Sequence, residues 1–566
     1  MNQTRTFLLI AWLAVAFLLF QQWQAPAASA PTAAAPAQNT QILPQPGGSS
    51  LPALPNSAAA PVNAALPVGV EPSSQTVEIV TDIFRLTVDL KGVSIVRAEL
   101  LTYPEKKAGS TNVLMLDTAP ADFFVAQSGW LTKSGQNAPT HEVMFQTVDG
   151  KNTFTMADGQ DRLSVPFIWT DPASGVRLTK TLVLTRGSFA VKQVQELHNT
   201  GTAPWSGFAY EQLKRIAPPP PSKTAGLTNP DSFSFVGSAW YSPADKYEKI
   251  KFTDYTDGDG VLQSPNKAIA DGWFGMLQHH FVTVWLPGKG DTQTYTLAKE
   301  GDSAQPFYII RGVSNESVLA PGATISREDQ LWIGPKAQKA MNKVHPTLDL
   351  SVDYGIFAFL SQPLFWLLSK LHDLLGNWGW AIIAIVVVLK ALLFPLSAKQ
   401  YQSMAKMRAI QPRIEALKER YGDDRQKFAM AQMELYKKEK INPAAGCLPM
   451  LIPIPIFLAL YWVLVESVEL RQAEWIGWIN DLTAPDPFFI LPAINLVVMF
   501  LTQKLTPTPG MDPLQKKMMT FMPLIFGVMM AFFPAGLVLY WVTNGLLGLA
   551  QQYYMTKKFA HSHTHA

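Results

Sequence analysis

The sequence predicts a membrane α-helical bundle of six transmembrane helices that carries one large all-β sandwich between its first and second helices. Three observations predict it. The last third of the chain holds five apolar stretches of near-spanning length, a sixth lies at the N-terminus, and the long region between them reads as short alternating runs. Composition agrees: of 566 residues 48% are hydrophobic and only 16% charged, against roughly 25% charged in soluble chains. The formal charge of +3 comes from scattered basic residues, so no concentrated cationic face is expected and no direct nucleic-acid recognition is predicted. A single cysteine, Cys447, excludes a disulfide framework and any multi-cysteine metal site. It stands in an apolar stretch and reads as a small buried or lipid-facing hydrophobe.

Residues 1–24 form the first membrane segment. The uncharged run from Phe7 to Phe20 follows Arg5, which fits either a signal peptide or a short uncleaved anchor. Ala28-Ser29-Ala30 would pass as a cleavage site, so both readings stay open at this level. Residues 25–75 collapse to Ala, Pro, Ser, Asn and Gln. They bury too little to offset chain entropy and read as a disordered linker. From 76 to 335 the period changes to two, as in Phe84-Arg85-Leu86-Thr87-Val88-Asp89-Leu90, the mark of half-buried strands. Arg177 to Thr185 and Phe189 to Leu197 flank Arg186-Gly187-Ser188 as a hairpin, and a sandwich closes such a region. There is no internal repeat and no GxxxxGK[ST] loop, so nucleotide hydrolysis is not expected. His279-His280 lacks an acid and nucleophile nearby in sequence and reads as structural.

Residues 350–375 mix Phe357, Leu360, Leu364, Trp366, Leu367, Leu371 and Leu374 with Gln362, Lys370, His372 and Asp373. That composition suits an amphipathic helix lying in the headgroup layer. Residues 376–396 give the second transmembrane helix, 397–442 a cytoplasmic helical hairpin, 443–555 transmembrane helices three to six, and 556–566 a cytoplasmic tail. The apolar cores run from about Trp378 to Leu396, Cys447 to Val465, Phe488 to Leu505, Met518 to Phe533 and Ala535 to Tyr553. Loop charge orients them: Lys and Arg crowd Lys399 to Lys440, and Lys504, Lys516, Lys517, Lys557 and Lys558 fall at other inner ends, whereas only Arg471 is basic between Glu466 and Pro487. Both termini are therefore expected in the cytoplasm.

Lys390 stands inside the apolar run Ile382 to Phe394, where a central charge costs about 2.5–3.5 kcal/mol. Two readings remain: the side chain snorkels to the inner surface, or it faces a water-lined cavity. The second needs polar partners, and the last span offers Tyr540, Trp541, Thr543, Asn544, Gln551 and Gln552. In the hairpin, Tyr401, Met404, Met407, Ile414, Leu417 and Tyr421 recur at helical steps, Gly422 and an adjacent Asp separate the helices, and Pro412 should kink the first. Tyr401, Met404, Met407, Met430 and Met433 are candidate contacts for varied apolar ligands, because methionine repacks easily; ordinary filler explains each one singly. Pro449, Pro453 and Pro455 remove several backbone donors from one span and should distort it. Pro534 and Gly536 leave almost no loop between the last two spans, which pair antiparallel. His561, His563 and His565 read as a polar tail. No catalytic constellation, cofactor motif or metal set is found, so the chain is not expected to be an enzyme.

The stretches VLKALLFPLSAKQYQSMAKM, LYKKEKINPAAGCLPMLIPIPIFLALYWVL, ELRQAEWIGWINDLTAPDP and FMPLIFGVMMAFFPAGLVLYWVTN are similar to the YidC/Oxa/Alb family of membrane protein insertases and cover most of residues 376 to 555. The β region and first segment resemble the Gram-negative branch in layout. The resemblance implies an inner-membrane protein with a retained first helix and a periplasmic, supersandwich-like β domain. It implies a hydrophilic groove, closed to the outside and open to cytoplasm and lipid, into which Lys390 projects; Tyr540, Trp541 and Asn544 of the last span are the further candidates to line it. Family members usually carry Arg where this chain has Lys390, keeping the charge but not the bidentate fork, and often Gln where it has Pro453. The implied partners are nascent membrane proteins, the Sec translocon, ribosomes with their targeting factors, and the lipid bilayer. An alternative is a membrane-anchored periplasmic carbohydrate-binding protein, since such sandwiches resemble sugar mutarotases; it predicts an aromatic cleft with paired carboxylates, and no acid pair is evident in sequence. A solute transporter predicts inverted repeats, and none is found.

Overall fold

The computed structural model describes residues 75–107, 109–132, 137–218, 234–256, 262–301, 305–422, 424–439, 453–505 and 513–561. The expected first helix, nearly all of the linker and the last five residues lie outside that set. Between 76 and 335 the alternating runs pair into two sheets. One has eleven strands, its path running Lys267–Ala270, Thr292–Glu300, Phe307–Ser314, Trp205–Ile216, Phe124–Leu131, Ser94–Pro104, Phe84–Asp89, Thr76–Val80 and Thr153–Thr155. The other has nine, from Lys246–Lys251 through Gly237–Ser242, Trp273–Leu277, Phe281–Leu286, Thr324–Pro335, Ala190–Asn199, Val176–Thr185 and Arg162–Thr170 to Gln146–Thr147. Thr76–Val80 and Thr153–Thr155 pair parallel; their neighbours pair antiparallel.

Period two sets which side chains meet between the sheets. Val176, Leu178, Leu182 and Leu184 are buried along one strand while Arg177 and Thr185 are exposed. That strand returns through the Arg186–Ser188 turn, where Gly187 takes φ 69° and Ser188 N–H donates to the Thr185 carbonyl at 3.1 Å. Trp130, Trp205, Phe84, Phe124 and Phe167 fill the interior. Each large aromatic contributes a few kcal/mol of transfer free energy, about 25 cal/mol per Å² of apolar surface.

A second core forms on the outer face of the nine-stranded sheet. Trp273, Val282, Val284 and Trp332 pack there with Met341, Leu348, Val352 and Tyr354, and the same cluster continues into Leu368, Ile382, Leu460 and Val538. The helix α1 (Gln338–Val344) and the 3-10 turn Leu348–Ser351 thus cover the sheet before the helical region begins. The β unit accordingly extends past the expected boundary at 335.

The helical region comprises α2 (Ala358–Leu375), α3 (Trp378–Leu392), α4 (Phe394–Ala409), α5 (Gln411–Tyr421), α6 (Arg425–Lys438), α7 (Pro453–Glu466), α8 (Ile490–Leu505), α9 (Pro513–Met530) and α10 (Ala535–His561). Gly376 ends α2 at φ 68°, its N–H donating to the His372 carbonyl at 2.8 Å, and the Asn377 side chain accepts from Trp380 N at 3.1 Å to start α3. On α2, Leu364, Phe365 and Leu368 are buried while Phe359, Trp366 and Leu374 are exposed apolar residues. The helix α3 stops at Leu392, short of 396, because Pro395 has no N–H to give the Ala391 carbonyl and its ring crowds that turn. The hairpin therefore begins at Phe394. Pro412 acts likewise: the expected kink is a break at Ile410, after which α5 starts. The last helix runs on to His561, into the segment expected as a tail.

Among the described residues no helix is long and apolar enough to cross a membrane. Length limits α3 and α7, which have 15 and 14 residues. The helix α10 has 27 residues, but Asn544, Gln551 and Gln552 dilute its apolar character.

Candidate functional site

The helix α3 buries Ala381, Ile382, Ile385 and Val386, a stripe at helical spacing that packs on α10. Lys390 is one turn beyond Val386 and is half-buried. Its Nζ lies 3.3 Å from the position a Cβ would take on Gly548 of α10. The ammonium is thus turned onto the last helix. Among the described residues no carboxylate forms an ion pair with it.

The other expected groove residues sit along α10. Tyr540 is buried and Trp541 and Asn544 are half-buried. Phe457 of α7 lies 4.6 Å from Trp541 and 5.9 Å from Tyr540 between ring centroids, and Phe526 of α9 lies 6.3 Å from Trp541. Gly548 is about 12 Å of helix rise from Tyr540. The aromatics and the lysine are therefore two levels of one stripe, with Asn544 between them at i+4 from Tyr540. Two buried donors on α10, Trp541 Nε1 and Gln551 Nε2, have no hydrogen-bond partner among the described residues. Thr543 Oγ1 is satisfied by the Leu539 carbonyl at 2.8 Å.

Pro449 falls outside the described residues. Pro453 begins α7 and Pro455 is exposed in its first turn. Tyr401, Met404 and Met407 lie on α4, their side chains outside the described part. In the hairpin, Ile410, Ile414 and Tyr436 form a small core with Phe428 and Leu435. Met430 and Met433 stand outside it, 59% and 38% exposed. Gly422 ends α5 in right-handed geometry, φ −53°, rather than as a left-handed cap. Asp424 caps α6, its Oδ1 accepting from Gln426 N and Lys427 N at 3.2 and 3.0 Å; those bonds hold its carboxyl below the usual range.

The segment 466–487, between α7 and α8, is hydrogen-bonded to the β domain. Its acids act as local acceptors: Asp486 takes Trp478 Nε1 at 2.9 Å, Phe488 N at 3.0 Å and Leu491 N at 2.7 Å, and Asp481 takes Gln472 N and Thr483 N. Lys107 of the β domain donates to Asn480 O at 2.7 Å, Gln472 to Pro104 O at 2.9 Å, and Ser234 to Glu466 Oε1 at 2.8 Å. His279 and His280 stack at 3.8 Å and both direct Nε2 at the Val465 carbonyl, at 3.1 and 2.9 Å. Gln338 N donates to Glu469 Oε1 at 3.2 Å. Burial pushes the Glu469 carboxyl up to about 7 and pulls the buried Lys336 and His280 down.

Inside the sandwich the structure supplies an acid pair that sequence reading missed. Glu211 and Asp329 are 0% and 1% exposed. Arg327 meets both, at 3.5 and 2.9 Å, and Gln293 Nε2 donates to Glu211 Oε2 at 2.5 Å. Burial and the neighbouring Asp329 raise Glu211 to about 8. Lys180, also enclosed, donates to the Gly92 and Ser128 carbonyls at 2.8 and 3.0 Å, and burial lowers it to about 7. A glycan would have to part the sheets to reach these carboxyls.

Residues 76–367 match the YidC periplasmic domain family, and residues 370–562 the family described as 60Kd inner membrane protein. A membrane protein insertase YidC of Stenotrophomonas maltophilia (strain R551-3) is 50% identical over 99% of this chain and 97% of that protein. One of the same name from Xanthomonas euvesicatoria pv. vesicatoria (strain 85-10) is 49% identical over 99% and 98%. A crystal structure of an active YidC insertase with its first transmembrane domain resolved is 18% identical, covers 86% of this chain and 94% of that one, and aligns at a TM-score of 0.38. On the two family matches and the full-length identities, this chain belongs to the YidC/Oxa/Alb family, in the form that joins a periplasmic β domain to an inner-membrane helical region.

Proposed function

We propose that this chain is a membrane protein insertase of the bacterial inner membrane, passing the polar flanks of newly made proteins through a hydrophilic groove while their apolar segments move into lipid. The observation that carries the groove is the direction of Lys390: its ammonium lies on α10 beside Gly548, on the stripe that holds Asn544 and Gln551. A charge retained in an apolar helix favours a hydrated surrounding, and the buried donors of Trp541 and Gln551 call for acceptors of the same kind. Water reaching this stripe from the inner side satisfies all three.

No fuel is required. A segment of about 20 Leu-like residues returns roughly 6–12 kcal/mol at about 0.3–0.6 each, enough to offset two or three charges crossing at about 3 kcal/mol apiece. Lys390 attracts acidic or polar flanks and holds water, and Trp541, half-buried beside Phe457 and Phe526, faces the passing chain. The hairpin α4 to α6 receives the client, with Met430 and Met433 on its open side. Six crossings with cytoplasmic termini complete the topology, counting the N-terminal segment. Helices as short as α3 and α7, about 21–22 Å, cross where the bilayer thins to meet them. The partners are nascent membrane proteins, and with them the Sec translocon, ribosomes and targeting factors.

Photocrosslinking from positions 390 and 541 to a stalled single-span nascent chain tests the route. Adducts at both are expected; adducts confined to lipid-facing control positions refute it.

A further inference from the structure

A glycine inside a helix is about 1 kcal/mol less favourable than alanine, so each of the two glycines beside this stripe needs a structural reason. For Gly545 the reason is packing: a Cβ there would fall 2.6 Å from Val498 Cγ1 of α8. For Gly548 the only atom among the described residues, outside its own helix backbone, that a Cβ would meet within 4 Å is Lys390 Nζ, at 3.3 Å. Among these residues no apolar neighbour approaches. A methyl group at 548 would therefore displace, of the described side chains, only the far end of a flexible, charged one.

We propose that Gly548 is a positioning residue: by leaving the surface of α10 bare, it lets the Lys390 ammonium lie inside the bundle at a fixed level beside Asn544 and Gln551. The inference rests on the groove reading and deepens it, because it names what sets the depth of the charge. Alanine at 548 crowds the ammonium by a few tenths of an ångström, and a larger side chain occupies its place. The lysine stem then carries the charge away, and a client's acidic flank loses the attraction it would have met. Alanine should not weaken the helix, since its propensity exceeds that of glycine.

The test reconstitutes the full chain in liposomes and measures insertion of two versions of one two-span client, with an acidic or a neutral translocated flank. The acidic-to-neutral ratio is the readout, which a general loss of folding does not move. Gly548→Ala should lower that ratio about twofold and Gly548→Leu about tenfold, the latter equal to ~1.4 kcal/mol, approaching the ratio of Lys390→Ala. Gly545→Ala, which crowds Val498 instead, should change both clients together. A wild-type ratio in both Gly548 variants, with a lowered ratio in Lys390→Ala, overturns the positioning role and leaves the groove standing. An unchanged ratio in Lys390→Ala removes the groove reading, and this inference with it.

Discussion

Replacing Glu469 by glutamine should remove that carboxyl's share of the pH dependence of the junction between β domain and helices. The Glu469 carboxyl sits at the foot of α1, with Oε1 accepting from Gln338 N and Oε2 buried without a partner among the described residues. Burial raises it from 4.5 to about 7. Because the folded value is the higher, its stability contribution is full below pH 4.5 and is lost as pH rises through 7. At 1.36 kcal/mol per pH unit the loss is roughly 3 kcal/mol at pH 8.5. Glutamine mimics the protonated acid: its oxygen keeps the Gln338 contact and it cannot ionise. Glu469→Gln should therefore match wild type near pH 4.5 and exceed it by up to ~3 kcal/mol at pH 8.5. The assay is denaturant unfolding of the detergent-solubilised full chain, followed by tryptophan fluorescence at both pH values, with the variant-minus-wild-type difference as the readout. A difference that is the same at both would refute the assignment of a buried, neutral carboxyl to this position.

Three further outcomes test the architecture. Asp486→Ala leaves the Trp478 indole and two amides without their acceptor, and should cost about 2–3 kcal/mol in the same unfolding assay. Gly379→Ala drives a Cβ to within 2.2 Å of Trp475 Cδ1 and should cost about 1–3 kcal/mol by overpacking, seen as a lowered Tm. In the hairpin, Ile414→Ala empties the centre of the small core and should cost about 2–4 kcal/mol, read as faster amide exchange across α5 and α6. Met430→Ala, at an exposed site, should leave that exchange unchanged.

The sandwich was legible because period two is a local signal: the strand Val176–Thr185 and its turn at Gly187 are visible in ten consecutive residues. Helix ends were less well read, although Pro395 stood in view and explains why α3 stops at Leu392. Lys180 falls in phase with Val176, Leu178, Leu182 and Leu184, which makes it an inward-facing charge visible in the local pattern. The pairing of Glu211 with Asp329 joins strands far apart in sequence, and no local pattern carries it. Lys390 shows the limit most clearly: its position leaves two orientations open in sequence, and Gly548, which its ammonium approaches, belongs to another helix.

The apolar cover that α1 and the turn Leu348–Ser351 give to the nine-stranded sheet dictates where the chain can be cut. A fragment ending at 335 would present Trp273, Val282, Val284 and Trp332 to water as one oily face, a surface prone to self-association. Carrying the fragment on through Tyr354 supplies its own lid from Met341, Leu348, Val352 and Tyr354. The excisable β body therefore ends in a short helical plug rather than at its final strand.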